Sequence, residues 1–208
     1  FLVFLFAAFL KFARQIEIEG VYYGALELGN SRAGVPAPVF DLSEFVNMLD
    51  WLTATDRFVH TGDGQALSDL LRGEMPPGVQ MENDQQAREL GRNLRGAAKG
   101  IETMSRALRM ARPFEAIESG DEIVKILNAS TAKIIQAAQP FEALAGEITR
   151  SYGQFALELP LEPSQALESL QRQFVMAGWY LARQQAAQAV LLLREWLISV
   201  NMALAGAY

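Results

Sequence analysis

Residues 1–24, FLVFLFAAFLKFARQIEIEGVYYG, decide how the rest of the chain is read. The first fifteen are apolar on nearly every side of a helical wheel, the pattern of a helix enclosed between a sheet and other elements. A buried core helix is expected there. The run from Phe1 to Leu10 falls well short of the roughly 20 residues that span a bilayer, and Lys11 and Arg14 follow at once. It has neither the basic lead-in nor the small-residue cleavage site of a signal peptide. Ile16 to Tyr23 then alternates and ends in β-branched and aromatic residues, which is strand chemistry, and Gly24 follows directly. With the loop Gly29 to Pro38, rich in Gly, Asn, Ser and Pro, this makes half of an αβ unit. Pro38 to Leu42 (PVFDL) supplies one further short strand.

The chain has 208 residues, half of them apolar and a fifth charged, with a formal net charge of −6. That suffices for one domain or two small ones with real cores and is too apolar for a disordered tail. Its acidity argues against a general nucleic-acid coat, because phosphate binding rests on clustered Lys and Arg. The absence of cysteine excludes disulfides, thiolate zinc sites and Cys nucleophiles, and fits a cytoplasmic location. With His60 the single histidine, a His-based metal cluster is excluded, and no metal site is expected. Phe rather than Met at position 1 suggests a processed chain or a fragment.

Beyond the αβ segment the periodicity turns helical. Ser43 is expected to cap a helix from Glu44 to about His60, with Phe45, Met48, Leu49 and Leu52 on its apolar face. Gly62 and Gly64 break it, and Gln65 to Leu71 forms a short helix. Gly73 to Gly78 (GEMPPG) is the strongest candidate for a domain boundary. Asp84 caps a long helix to about Arg112, stopped by Pro113. Ser119 to Asp121 caps the next, which ends before Pro140, and Phe141 to Tyr152 continues helically. Two more helices follow, Ser164 to about Arg183 and Ala186 to about Ala205. The expected fold is thus an α/β piece followed by an all-α piece. Residues 1–80 hold 5 basic and 10 acidic side chains and residues 81–160 hold 10 and 11, so the acidity belongs to the front.

The helix after Asp84 carries the clearest functional pattern. At 100° per residue, Arg88, Arg92, Arg95, Lys99, Arg106 and Arg109 fall within an arc of about 100°, opposite Leu90, Leu94, Ala97, Ile101, Met104 and Leu108. Arg88, Arg92, Arg95 and Lys99 are candidate contacts for RNA phosphates or an acidic partner; the alternative is an ordinary solvated face, since no aromatic residue is interleaved for base stacking. Tyr22, Tyr23 and Gly24 are the second candidate, because open α/β sheets bind ligands beyond the carboxyl ends of their strands. A simple turn is the alternative. The acid pairs Glu115/Glu118 and Asp121/Glu122 are read as helix-start charges that complement the dipole. His60 reads as a surface residue near a helix C-terminus. No catalytic residue is assigned, and no GxGxxG or Walker loop is present. Trp179, Tyr180 and Trp196 in the terminal hairpin are read as core or interface anchors.

Taken in order, four segments resemble the DxTHG-motif family of CRISPR-associated proteins, type III effectors that join a CARF domain to a HEPN domain. They are FLVFLFAAFLKF, VYYGALE (Val21 to Glu27), PVFDLSEFVNMLDWL (Pro38 to Leu52) with GDGQALSDLL after it, and AGWYLARQQAAQAVLLLREWLIS near the end. The resemblance implies a partial Rossmann-like CARF domain over residues 1–75. A linker with the basic helix would cover 76–113, and the front of a HEPN-like bundle 114–208. It further implies a homodimer that binds cyclic oligoadenylate as allosteric ligand, with Tyr23, Gly24 and Ala25 at the strand-end turn near the pocket. No other cofactor and no membrane are implied. Single-stranded RNA would be the substrate of the full-length protein. The DxTHG motif would lie ahead of Phe1. The HEPN Arg-x4-6-His pattern would follow Tyr208, because Arg57 stands only three residues before His60. This segment alone is then not expected to cleave RNA. The alternatives are a non-catalytic CARF regulator and a helical protein-interaction adaptor.

Overall fold

The computed structural model describes residues 2–14, 16, 18–25, 29 and 36–206. They form helices α1 (Leu2–Arg14), α2 (Ser43–Thr61), α3 (Gln65–Gly73), α4 (Gly78–Asn83), α5 (Gln85–Arg109), α6 (Pro113–Ala137), α7 (Phe141–Gly153), α8 (Ala166–Ala182) and α9 (Ala186–Leu204), with strands β1 (Tyr22–Gly24) and β2 (Val39–Asp41). The protein is mostly helical. It divides into two compact units, Phe1–Thr53 and Ala54–Tyr208.

In the first unit β1 and β2 pair antiparallel, with Tyr22 opposite Asp41, Tyr23 opposite Phe40 and Gly24 opposite Val39. The ladder gains one bond at each end, Ala25 N–H to the Pro38 carbonyl and Leu42 N–H to the Val21 carbonyl. The strand expected over 16–23 is therefore shorter and shifted, because its partner offers only three residues. The parallel pairing of a Rossmann-like sheet is absent among the described residues; antiparallel edge pairs do occur on such sheets. Residues 26–28 and 30–35, which hold the end of VYYGALE and most of the Gly/Pro-rich loop, lie outside the described residues, as do Phe1 and Gln15.

Ser43 does not cap α2. It is the first helical residue, and Asp41 Oδ1 accepts both its N–H (2.9 Å) and its hydroxyl (2.5 Å), while Ser43 Oγ accepts from Val21 N–H. Those two bonds from Ser43 hold the Asp41 carboxyl below its usual range. A small cluster of Ala7, Val21 and Val46, with Ile18 and Leu42 against it, is the unit's core. Lys11 and Asp50 join α1 to α2 at 2.6 Å. The apolar helix is not buried as expected: Leu5, Phe6, Phe9 and Phe12 are 46–62% exposed. On the part of α2 in this unit, Phe45, Met48 and Leu52 also face outward, and Val46 and Trp51 are buried. Two three-residue strands and one small cluster cannot cover that much apolar surface.

The second unit is built on the pair α5 and α6. Leu94, Ala97, Ile101, Met104 and Leu108 of α5 and Ile117, Ile123, Leu127 and Ile134 of α6 are buried. Small residues bring the helices close, since a Cβ on Gly100 would stand 2.8 Å from Ile123 Cγ1. Asp84 caps α5 as expected, its side chain accepting from Gln86 N–H at 2.8 Å. The helix ends at Arg109 rather than Arg112. Ala111 takes φ 51°, and its N–H and that of Arg112 return to the carbonyls of Leu108 and Ala107. This is a Schellman closure. Pro113 then opens α6, where its missing N–H costs nothing. The expected cap at Ser119 to Asp121 is corrected: α6 runs straight through it. Ser119 and Gly120 are small because α7 lies close, a Gly120 Cβ being 3.0 Å from the Tyr152 carbonyl. Asp121 instead pairs with Lys125 along the helix.

The segment Gly73 to Gly78 is a turn inside this unit, not a division between units. The division falls within α2. Residues 76–113 hold α4 and α5, and α5 packs against α3, α4 and α6. The α8–α9 hairpin closes with a second Schellman turn at Gln184 (φ 60°), where Gln185 N–H reaches the Tyr180 carbonyl. By length and composition α9 is the one described helix apolar enough to cross a membrane. Arg194 and Glu195 sit at its middle, where an intramembrane charge would cost about 3 kcal/mol.

Candidate functional site

The turn between α2 and α3 carries the densest buried polar chemistry among the described residues. Its sequence, Gly62-Asp63-Gly64, looks like a helix break. Gly62 takes φ 76°, and a Cβ there would overlap the Trp179 indole of α8. A Cβ on Gly64 would stand 2.4 Å from Ile101 Cγ2 and 3.1 Å from Ser105 Oγ of α5. Only glycine fits either place. Gly64 N–H donates to Ser105 Oγ at 2.7 Å, and Tyr152 of α7 donates its hydroxyl hydrogen to the Gly62 carbonyl at 2.8 Å. Because a tyrosine has one hydroxyl hydrogen, the 2.9 Å bond between Ser105 and Tyr152 must be donated by Ser105. A directed chain thus runs from Gly64 through Ser105 and Tyr152 back to Gly62. Burial pushes the Tyr152 phenol well above its ordinary range, so it stays a neutral donor.

Asp63 uses both carboxylate oxygens. Oδ1 accepts from Gln65 N–H at 3.1 Å and starts α3, while Oδ2 meets Arg57 at 2.5 Å and stands 4.0 Å from Arg109. Behind the turn the Arg183 guanidinium lies 4.0 Å over the Trp179 ring, a cation–π contact. Arg183 Nη2 and Trp179 Nε1 both reach Ser151 Oγ at 3.4 Å. Burial lowers the Arg183 pKa.

The basic face of α5 exists as drawn from the sequence, with Arg88, Arg92, Arg95, Lys99, Arg106 and Arg109 all exposed. Its members are not equivalent. Arg88 donates to the carbonyls of Met81 and Glu82 and so fastens α4. Arg106 pairs with Glu115 at 3.0 Å. Arg88, Arg92 and Arg95 border an open hollow of about 570 Å³ with Gly78, Met81 and Glu82. Lys99 lies further along the same exposed face.

Tyr23 and Gly24 lie on β1 and Ala25 just past it. Gly24 is open, with no atom within 4 Å of a Cβ placed there, whereas Ala25 is buried and donates its N–H to the Pro38 carbonyl. The turn's continuation, residues 26–28, lies outside the described residues. His60 is exposed and faces Asp56 on its own helix at 3.2 Å. Of the acid pairs, Glu115 does sit in the first turn of α6, while Asp121 and Glu122 are interior to it. No group of three or more metal-ligating side chains occurs among the described residues. Sequence reasoning missed the Asp63 and Tyr152 constellation. The one signal for it was a Gly-Asp-Gly whose glycines had no need to end a helix twice.

The molecule is thus a helical domain whose α2–α3 turn is locked into its core, preceded by a small α/β unit. The family model described as CRISPR-associated protein MJ1674, second domain, matches residues 47–156, a little over half of the chain. The chain belongs to this CRISPR-associated family. No match was found among the curated proteins or among the solved structures. The matched span runs from α2 to just beyond α7 and contains Arg57, Gly62, Asp63, Gly64, Ser105, Arg109 and Tyr152, while Trp179 and Arg183 lie past its end.

Proposed function

We propose that the chain is part of a type III CRISPR effector in which a CARF sensor binds cyclic oligoadenylate and switches on a HEPN ribonuclease. The observation that carries this reading is the position of the family match. It begins inside PVFDLSEFVNMLDWL and takes in GDGQALSDLL, two of the segments on which the resemblance rests. In this reading the first unit belongs to the sensor, with Tyr23, Gly24 and Ala25 near its ligand, and α6 to α9 to the front of the HEPN bundle. The exposed apolar residues of α1 and α2 are then surfaces on which a larger sheet would pack. The basic face of α5 takes RNA or a partner, and the assembly is a homodimer. A HEPN site places a 2′-hydroxyl against its neighbouring phosphate with Arg and His from two subunits. The lone His60, paired with Asp56, is outside such a motif, so this segment by itself leaves RNA intact.

Isothermal titration of the complete protein with cyclic tetra- and hexa-adenylate tests the sensor. Heat with one of them is the expected result, and no heat with either rejects it. Incubating the ligand-bound protein with single-stranded RNA separates a nuclease from a non-catalytic regulator, which would bind and leave the RNA whole.

A further inference from the structure

Beside the Gly62 turn, Arg57, Thr61, Asp63, Arg109, Gln185 and Gln188 rim a hollow of about 260 Å³. Its walls offer far more donors than acceptors. Each guanidinium carries five N–H groups, yet among the described residues the side chains of Arg57 and Arg109 meet only Asp63 Oδ2, at 2.5 and 4.0 Å. Gln185 spends its amide on the Thr61 carbonyl at 2.7 Å, and the Gln188 amide is uncommitted. Two guanidinia and one carboxylate leave a single unit of positive charge. Asp63 cannot swing away to change that sum, because its other oxygen holds the start of α3.

We infer that this hollow binds one phosphodiester group of a single-stranded nucleic acid, cradled by Arg57 and Arg109. A diester carries one negative charge and matches the surplus; a phosphate monoester carries nearly two at neutral pH. Arginine pairs suit phosphate because the planar fork donates two parallel hydrogen bonds. Asp63 tunes the site by offsetting one of the two positive charges, paired with Arg57 at 2.5 Å and 4.0 Å from Arg109. The inference does not depend on the sensor reading, since the hollow lies wholly within the second unit.

The test uses the full chain and a fluorescein-labelled ten-nucleotide oligoadenylate RNA, followed by anisotropy over a salt series. Arg57→Gln with Arg109→Gln should weaken binding tenfold or more and flatten the salt dependence by about one unit of slope. Asp63→Asn keeps the oxygen that starts α3 and should tighten binding severalfold, a gain that misfolding cannot produce. The dinucleotide ApA should compete at lower concentration than inorganic phosphate. The site is rejected if Asp63→Asn leaves affinity unchanged or weaker, or if the arginine pair proves dispensable. It is equally rejected if Arg92→Gln with Arg95→Gln alone removes binding, or if inorganic phosphate competes better than ApA.

Discussion

The Tyr152 hydroxyl donates to the Gly62 carbonyl across 2.8 Å, joining residues ninety positions apart and tying α7 to the turn that ends α2. The Tyr152 side chain is fully enclosed and Gly62 is buried, so the bond is made away from bulk water. Tyr152→Phe removes the donor to Gly62 and the acceptor for Ser105 together while keeping the ring that meets Phe58 edge-on at 5.2 Å. An unsatisfied buried polar group costs about 1–3 kcal/mol. Urea unfolding should show a loss in that range with an unchanged m-value, and Ser105→Ala, which strands the Gly64 N–H, should lose a similar amount.

The glycines of α5 make opposite predictions from one helix. Helix propensity alone favours Ala over Gly by about 1 kcal/mol. At Gly96 a Cβ would lie 3.8 Å from Ile126 Cδ1, an ordinary contact, so Gly96→Ala should raise the melting temperature. At Gly100 it would stand 2.8 Å from Ile123 Cγ1, in a wall with no room to retreat. Gly100→Ala should therefore lower the melting temperature despite the same propensity gain.

The two Schellman turns behave differently again. Ala111 and Gln184 hold left-handed backbones that glycine adopts without strain. An L residue there costs about 1–2 kcal/mol, partly offset because glycine loses more chain entropy on folding, about 0.4–1 kcal/mol. Gln184→Gly should stabilise the protein by about 0.5 kcal/mol, read as a rise in urea midpoint. Gly62→Ala must fail the same comparison, because its Cβ meets the Trp179 ring as well as the wrong backbone region.

These contrasts show what the sequence makes legible. The cap at Asp84, the breaks at Gly62 and Pro140 and the terminal hairpin follow from local chemistry, and the structure has them within a few residues. The ends near Arg112 and Ser119 were misread because a left-handed alanine carries no sequence mark and because small residues signal close packing as often as a stop. Burial of α1 was misread for another reason: an apolar pattern specifies that a face needs covering, not what covers it. The distant partners of the Gly62–Gly64 turn were beyond reach, since Arg109 is brought towards Asp63 only by α3 packing on α5 and Tyr152 to Gly62 only by α7.

Glu115 supplies a pH signature. Its hydrogen bond from Arg106, with a second from Arg112, holds its carboxyl below the ordinary value of 4.5, against a smaller opposing effect of burial. A pKa depressed in the folded state stabilises above the unfolded value, and that contribution is lost as pH falls through the folded one. Since the pair is largely solvated, the effect is under about 1 kcal/mol and screened by salt. Glu115→Gln should be less stable than the parent at pH 7 and indistinguishable from it at pH 2, with the gap narrowing in 0.5 M salt.

The basic face of α5 can be divided by charge reversal. Arg92 and Arg95 are exposed and take no part in a hydrogen bond among the described residues, whereas Arg88 holds the carbonyls of Met81 and Glu82, where α4 meets α5. Arg92→Glu with Arg95→Glu should therefore leave the melting temperature nearly unchanged, surface changes of this kind falling within about 0.5 kcal/mol. Arg88→Glu should lower it by more and make the Gly73–Asp84 stretch a new site of limited proteolysis. If binding to RNA or to a partner then falls in the double variant at full stability, the loss belongs to the surface itself; if only Arg88→Glu affects it, the face acts through the placement of α4.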